Sequence, residues 1–390
     1  MSTTIERDPR LTVAQERFRD DVRSMLAEDR VRRAVDDVAV YRPDQEAAHL
    51  DVYRWLGARG WLAPGWPVEY GGLGLGPVES AIVTEEMALA GVPDDVHVLS
   101  VDIVGSFLLL EGTEEQRRRH LPAIARGERI ATVLFTEPDC GSDLSALTTR
   151  AEPDGDGWRL YGSKIFNMKS RFGDVALCAA RTTDSGVGMH GITLFLLPLR
   201  SAGVHIEPVP SMANDRFDLV VIDGVRVTRA DVVGRVDDGW RSINDLLQLE
   251  RTGIDFHAKA RRLLDLVIRR AAQTGRLDDP AYALPLAELD ARLTAGRALS
   301  WQMVQNLAEA RPDPVASAMA KWYVTEQFRP ILHTAMEVDG LDGALSAWDA
   351  DAPGLGRLEA QYRLGPVHRL ASGTSEVMLY LIATNGLGLL

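Results

Sequence analysis

The spacing of apolar residues changes twice along the chain, and that change constrains the fold more than any single motif. Phe18, Val22, Met25 and Leu26 recur at helical intervals. Pro77 followed by VESAIVTEEMALAG puts a proline in a first turn and a glycine just past a helix end, and TEEQ at 113–116 has the capping-box pattern. Near residue 129 the segments become short, rich in β-formers and separated by turn clusters such as PDGDG: RIATVLF, WRLYGSKIF, DVALCAAR, GITLFLLPL, GVHIEPVP, DLVVIDGVRV and ADVVG. From Gly239 the helical period returns, with long helices predicted at 240–273, about 285–310, 315–338 and 374–386. Strands bracketed by helices predict an α+β architecture: a helical domain over 1–128, a small antiparallel β domain over 129–236 and an antiparallel helical bundle over 237–390.

At 390 residues, 46% hydrophobic and 25% charged, the chain is long enough for two or three domains with a sizeable core. The start MSTTIERDPR lacks the apolar stretch of a secretory signal, and no run of about 18 apolar residues is present, so the expectation is a soluble cytoplasmic protein. Cys140 and Cys178 have no CxxC spacing, so neither a disulfide framework nor a metal site is implied. A net charge of −13 argues against a nucleic-acid partner, and RRRH at 117–120 reads as the solvated face of a helix. GLGLG at 72–76 follows no strand and lacks GK[ST], so it reads as a surface turn.

Four stretches can hold chemistry. FTEPDCGSDL, 135–144, follows a strand, and its backbone N–H groups and two hydroxyls suit a flat heterocycle or a phosphate; taken alone it reads first as a Pro/Gly turn with Ser142 as a cap. GSKIFNMKS ends a second strand with the aromatic Phe166, which also fits an ordinary core strand. On the helix from Gly239, Ile243, Leu247, Glu250 and Ile254 follow at spacings of four, three and four, putting Glu250 on the apolar face. A carboxylate there is either a desolvated base or the partner of an arginine on another helix. In RLASGTSEVML, Ser372 or Gly373 is placed as the N-cap of the final helix, whose first N–H groups bind an anion or oxyanion, or simply cap.

Together, in order, GWPVEYGGLGLGPVE, GTEEQRRRHLPAIARGE, FTEPDCGSD, DDGW…LERT and SGTSEV resemble the acyl-CoA dehydrogenase family over nearly the whole chain. The resemblance implies FAD held between a middle antiparallel β-barrel domain and a C-terminal four-helix bundle. It implies that Thr136 bonds the flavin pyrimidine edge and Ser142 the pyrophosphate, with Phe135 and Gly141 in the same loop. Phe166 would cover the ring, and Thr374 and Glu376 would contact FAD near the last helix.

The implied reaction takes an α-proton from an acyl thioester, on CoA or a carrier protein, while the β-hydrogen leaves as hydride. The base sits immediately before Gly-Thr in many relatives, where this chain has Ser372; relatives similar to isovaleryl- and long-chain acyl-CoA dehydrogenases carry it in a Glu-Arg pair on the bundle helix, here Glu250 and Arg251. The Ser372 backbone N–H would remain as an oxyanion donor. Three departures stand out: Met168 replaces the usual Thr or Ser at flavin N5, no R-x-x-F…Q segment is recognisable in TGRLDDPAYALPLAELD, and EVMLYLIA lacks Gln-Arg. The implied partners are an electron-transfer flavoprotein and copies of the chain in a dimer or tetramer. The departures keep open an oxidase or monooxygenase chemistry and a non-catalytic subunit of a hetero-oligomer.

Overall fold

The computed structural model describes residues 8, 10–38, 49–183, 188–213, 216–250 and 252–389, excepting the side chains of 36–38, 216 and 245–250. The N-terminal part is helical: α1 (Val13–Leu26), α2 (Asp29–Val38), α3 (Leu50–Gly57), α4 (Pro77–Ala90), the single turn α5 (Asp95–His97), a π-helical segment Val98–Gly105, α6 (Ser106–Glu111) and α7 (Glu114–Ala125). Both punctuation signals act as expected. α4 starts on Pro77 and stops at Gly91 in the left-handed region, and Thr113 and Gln116 exchange the two capping-box bonds at 3.2 and 2.9 Å. Val22, Leu56, Val104, Leu108 and Leu121 bury a core that continues into Ala131 and Leu177 of the neighbouring sheet.

That sheet comprises β1 (Ala131–Leu134), β2 (Arg150–Asp154), β3 (Gly157–Met168), β4 (Val175–Arg181), β5 (Ile192–Pro198), β6 (Val204–Pro210), β7 (Arg216–Thr228) and β8 (Val232–Val233). Its order is β6-β7-β3-β2-β4-β5-β8, with β1 on β4. The pairing is mostly antiparallel, but β1 runs parallel to β4 from Ala131↔Val175 to Leu134↔Cys178, and β2 meets β4 in parallel at Arg150↔Arg181. The intervening β2–β3 hairpin supplies the long crossover that a parallel pair requires. β2, RAEPD, is a strand the sequence pattern did not reveal, because a proline and charged residues make it a poor β-former.

The C-terminal part contains α8 (Gly239–Glu250), α9 (Ile254–Gln273), α10 (Pro280–Ala308), α11 (Pro314–Glu326), α12 (Phe328–Asp339), α13 (Arg357–Leu370) and α14 (Ser375–Leu381), followed by a π turn at Ile382–Gly386. The helix expected at 240–273 is two helices. Gly253, at φ +75, caps α9, and a Cβ there would lie 3.2 Å from Ser300 Oγ, so the chain turns where it passes close to α10. The helix expected at 315–338 also divides, at Gln327, since Pro330 has no N–H to offer the Glu326 carbonyl. α13 was not anticipated, because Gly365 and Pro366 interrupt its pattern. Among the described residues, no helix is long and apolar enough to cross a membrane, and no His/Cys/Asp/Glu group could hold a metal.

One buried carboxylate joins the N-terminal helices to the bundle. Glu85 of α4 accepts two bonds from Arg297 of α10 (2.8 and 3.0 Å), one from Trp301 Nε1 (3.1 Å) and one from Arg19 of α1 (3.2 Å). Arg297 also reaches Asp8 at 2.7 Å. Removing one charge from such a buried network leaves the others uncompensated, so Glu85→Gln is expected to cost about 3–5 kcal/mol of stability. A urea midpoint equal to wild type would show that the carboxylate does not hold the two parts together.

Candidate active site

The loop after β1 is built around Glu137. Glu137 is buried, and its carboxylate accepts from Thr148 N (2.6 Å), Thr148 Oγ1 (2.7 Å), Thr149 N (2.9 Å) and Lys164 Nζ (2.8 Å). Lys164, fully buried on β3, also donates to the Phe135 carbonyl at 3.1 Å. This brace holds the turn that carries Thr136, Gly141 and Ser142, and Ile165 N bonds the Thr136 carbonyl at 3.0 Å. Thr136 is half-buried, Ser142 is exposed, and no protein partner engages either hydroxyl among the described residues.

Next to that turn, the β3–β7 register shifts between Lys164 and Asn167. The shift puts Phe166 at φ 58, 57% exposed, with its ring edge-on to Phe217 at 6.0 Å. Phe166 is therefore an aromatic held off the sheet rather than a core side chain. Met168 is half-buried against the N-terminal core, and Lys169, also at positive φ, pairs with Asp95 at 3.2 Å. Left-handed non-glycine residues persist only where their surroundings hold them, and here two stand within four positions.

A cavity of about 400 Å³ lies between the N-terminal helices and the bundle. Its wall includes Thr252, Gly253 and Ile254, which begin two residues past the end of α8, together with Lys321 of α11 and Ser372. Gly76 and Pro77 form another edge, so GLGLG is not only a surface turn but ends on the cavity. Glu250 is the last residue of α8; its side chain and the whole of Arg251 lie outside the described residues. The break at Gly253 also means that Ile254 does not continue the α8 stripe, although Ile243 and Ile254 are both buried.

The Ser372 segment differs from a simple helix cap. The N-cap of α14 is Thr374, whose Oγ1 accepts from Val377 N at 3.2 Å. Ser372 and Gly373 stand upstream of it at φ 54 and 91, because the chain turns back there before the helix starts. α11 anchors that turn. Lys321, fully buried, donates to the Gly373 carbonyl at 2.6 Å, and Glu326 Oε1 accepts from Ser375 Oγ at 2.6 Å and Arg369 Nε at 2.8 Å. Glu376 is exposed, and bonds to its own backbone N–H and to Thr374 lower its pKa.

Residues 12–128, 132–225 and 237–387 match, in that order, the N-terminal, middle and C-terminal domains of acyl-CoA dehydrogenase. Acyl-CoA dehydrogenase FadE26 of Mycobacterium tuberculosis is 31% identical over 86% of each chain. The chain belongs to the acyl-CoA dehydrogenase family. Among solved structures, the Tcur3481-Tcur3483 steroid ACAD aligns with a TM-score of 0.88 at 31% identity, covering 98% of this chain and 100% of that one. The ChsE4-ChsE5 complex from Mycobacterium tuberculosis aligns at 0.85 and 29%, covering 98% and 100%.

Members of the acyl-CoA dehydrogenase family are FAD-dependent flavoproteins. The donor set beside β3 fits that group: two unengaged hydroxyls on a braced turn, with an exposed aromatic ring next to them. Met168 is the exception, since a thioether brings no N–H or O–H to a flavin nitrogen. Glu137 and Lys164 had not been singled out in the sequence, yet they shape the loop. Their signal was present: Trp158, Leu160 and Lys164 all face inward on β3, so the alternation puts a lysine where only a paired charge is tolerated.

Burial opposes ionisation of Glu137, but the Lys164 ammonium and the threonine donors outweigh it and hold the carboxyl down from 4.5 to about 2. A depressed folded-state pKa contributes stability that is complete above the ordinary value and is lost as pH falls through the folded one. Wild-type unfolding free energy is therefore expected to fall between about pH 4.5 and pH 2, with a shallower slope in Glu137→Gln. Identical slopes in acid denaturation of the two proteins would remove Glu137 from this role.

Proposed function

We propose that this protein removes two hydrogens across the α,β bond of an acyl thioester, on CoA or a carrier protein, with Glu250 as the base. The observation that supports this is chain geometry: α8 ends on Glu250, and two residues later the chain forms the wall of the cavity that Ser372 also lines. The backbone of Glu250 therefore ends two residues from the cavity wall.

An α-proton beside a carbonyl is too weakly acidic for a carboxylate acting alone, so the enolate oxygen needs a donor. The backbone N–H of Ser372 is that donor, and its direction depends on the turn that Lys321 holds through the Gly373 carbonyl. Glu250 takes the α-proton, with Arg251 as its electrostatic support. Phe135, Thr136, Gly141, Ser142, Phe166, Met168, Thr374 and Glu376 would hold FAD, which would supply the acceptor for the β-hydrogen and its electron pair. An electron-transfer flavoprotein would be the partner that takes up the electrons.

A second, different subunit completes the FAD site in this reading. Its support is the missing R-x-x-F…Q segment at 274–290 and the two-component names of the Tcur3481-Tcur3483 and ChsE4-ChsE5 structures.

Anaerobic addition of acyl-CoA or carrier-bound acyl thioesters to the purified yellow protein is expected to bleach the flavin. Glu250→Gln is expected to slow bleaching by about 10²–10⁴-fold. Wild-type bleaching by that variant would exclude Glu250 as the base. Lys321→Met, which leaves the Ser372 turn unanchored, is expected to slow the same step about 100-fold at unchanged flavin content. Loss of flavin with retained turnover per bound FAD would instead assign Lys321 to cofactor binding.

A further inference from the structure

One wall of the cavity carries a charge that the dehydrogenation does not use. Val98, Val101, Asp102, Ser106 and Leu109 line the cavity from one continuous helical stretch, and Asp102 is the acid among its apolar members. Behind it stands His97, 3% exposed, with Nδ1 3.4 Å from Asp102 Oδ2 and Nε2 2.9 Å from the Leu62 carbonyl. The Asp102 side chain is 32% exposed, so it is not sealed by that contact.

The backbone is built to make this pair. Residues five apart on an α-helix point about 140° away from each other. Val98–Gly105 is π-helical instead, and the wider turn brings positions 97 and 102 to the same side. Two contacts hold the segment in place. Ser100 Oγ donates to the Ala131 carbonyl at 2.8 Å and accepts from Ala131 N at 2.9 Å, and Gly105 lies so close to Trp66 that a Cβ would sit 2.1 Å from Cζ2.

A purely apolar chain filling the cavity would strip water from Asp102 and return nothing, which is costly for a charged acceptor. We propose that Asp102, positioned by His97, accepts a hydrogen bond from a hydroxyl on the acyl chain, so the substrate class is a hydroxylated acyl thioester. This rests on the cavity being the acyl site of the proposed reaction. Burial disfavours a charged imidazole, but the Asp102 charge and bond and the Leu62 carbonyl outweigh it and raise the His97 pKa. Ser106 on the same wall offers a hydroxyl to the lone pairs of the same alcohol.

The test is calorimetric binding of S-alkyl-CoA thioethers, which cannot be oxidised, to the full-length flavin-loaded protein. The series moves one hydroxyl along the chain and includes the plain alkyl parent and the matching amine. For at least one hydroxyl position, wild type is expected to bind about 10- to 100-fold more tightly than to the plain parent. Asp102→Leu is expected to reverse that order, and Asp102→Asn, which keeps an acceptor oxygen in the same shape, to leave a smaller preference. Absence of a preference in wild type, its survival in Asp102→Leu, or tighter binding of the amine than of the alcohol would each overturn the assignment. Bleaching by thioesters with no hydroxyl preference sinks this subsite and leaves dehydrogenation standing. A hydroxyl preference without bleaching does the reverse.

Discussion

The cavity depends on the carboxylate of Glu85. An α-helix rich in alanine and valine, such as α4, packs against almost any apolar surface, and burial alone does not set its distance from the bundle. Arg297 and Trp301 from α10 and Arg19 from α1 converge on one buried group and give that packing a single arrangement. Gly76, Pro77, Ser80, Ala81 and Thr84, all at or near the start of α4, then stand at a defined separation from Ile254 and Val304. A second bridge, in which Lys259 of α9 bonds Asp94 at 2.7 Å and Asp255 at 3.1 Å, fixes the same interface next to the π-helical wall.

The cofactor side uses the same device in the sheet. Lys164 would be intolerable alone at an inward strand position, and Glu137 would be equally costly in a turn without donors. Placed 2.8 Å apart, they turn the loop after β1 into a rigid support, from which Thr136 and Ser142 project. Strain then collects at its borders: Phe166, Lys169 and Ser372 are three of the six described non-glycine residues at positive φ, and all three border the candidate site. An acyl thioester lying between these borders would meet one wall of braced backbone and another that bears the His97 and Asp102 pair.

Some of this was legible before any coordinates. The change of period at 129 and again at 239, the proline and glycine around α4, and the capping box at 113–116 all act within a few residues, so a sequence pattern captures them. The resemblance implied that Thr136, Ser142 and Phe166 contact a flavin, and the turn after β1 does lie beside the stretch of β3 that carries Phe166, because each belongs to a short run whose turn chemistry is local. The break after Glu250 was not legible, since RTG allows a helix to continue and only the folded chain shows Gly253 in the left-handed region beside Ser300. Nor was the Asp102 subsite, because α-helical spacing sends His97 and Asp102 apart.

By itself the sequence determined the alternation of helical and β layers, the family to which they belong and the turns able to hold a cofactor, because hydrophobic period and turn residues are properties of neighbouring positions. Only the tertiary structure decided that Thr252, Lys321, Ser372 and Asp102 share one cavity, that β1 runs parallel to β4, and that Lys164 answers Glu137. Those facts come from contacts between residues tens to hundreds of positions apart, where geometry depends on how whole elements pack rather than on what stands next along the chain.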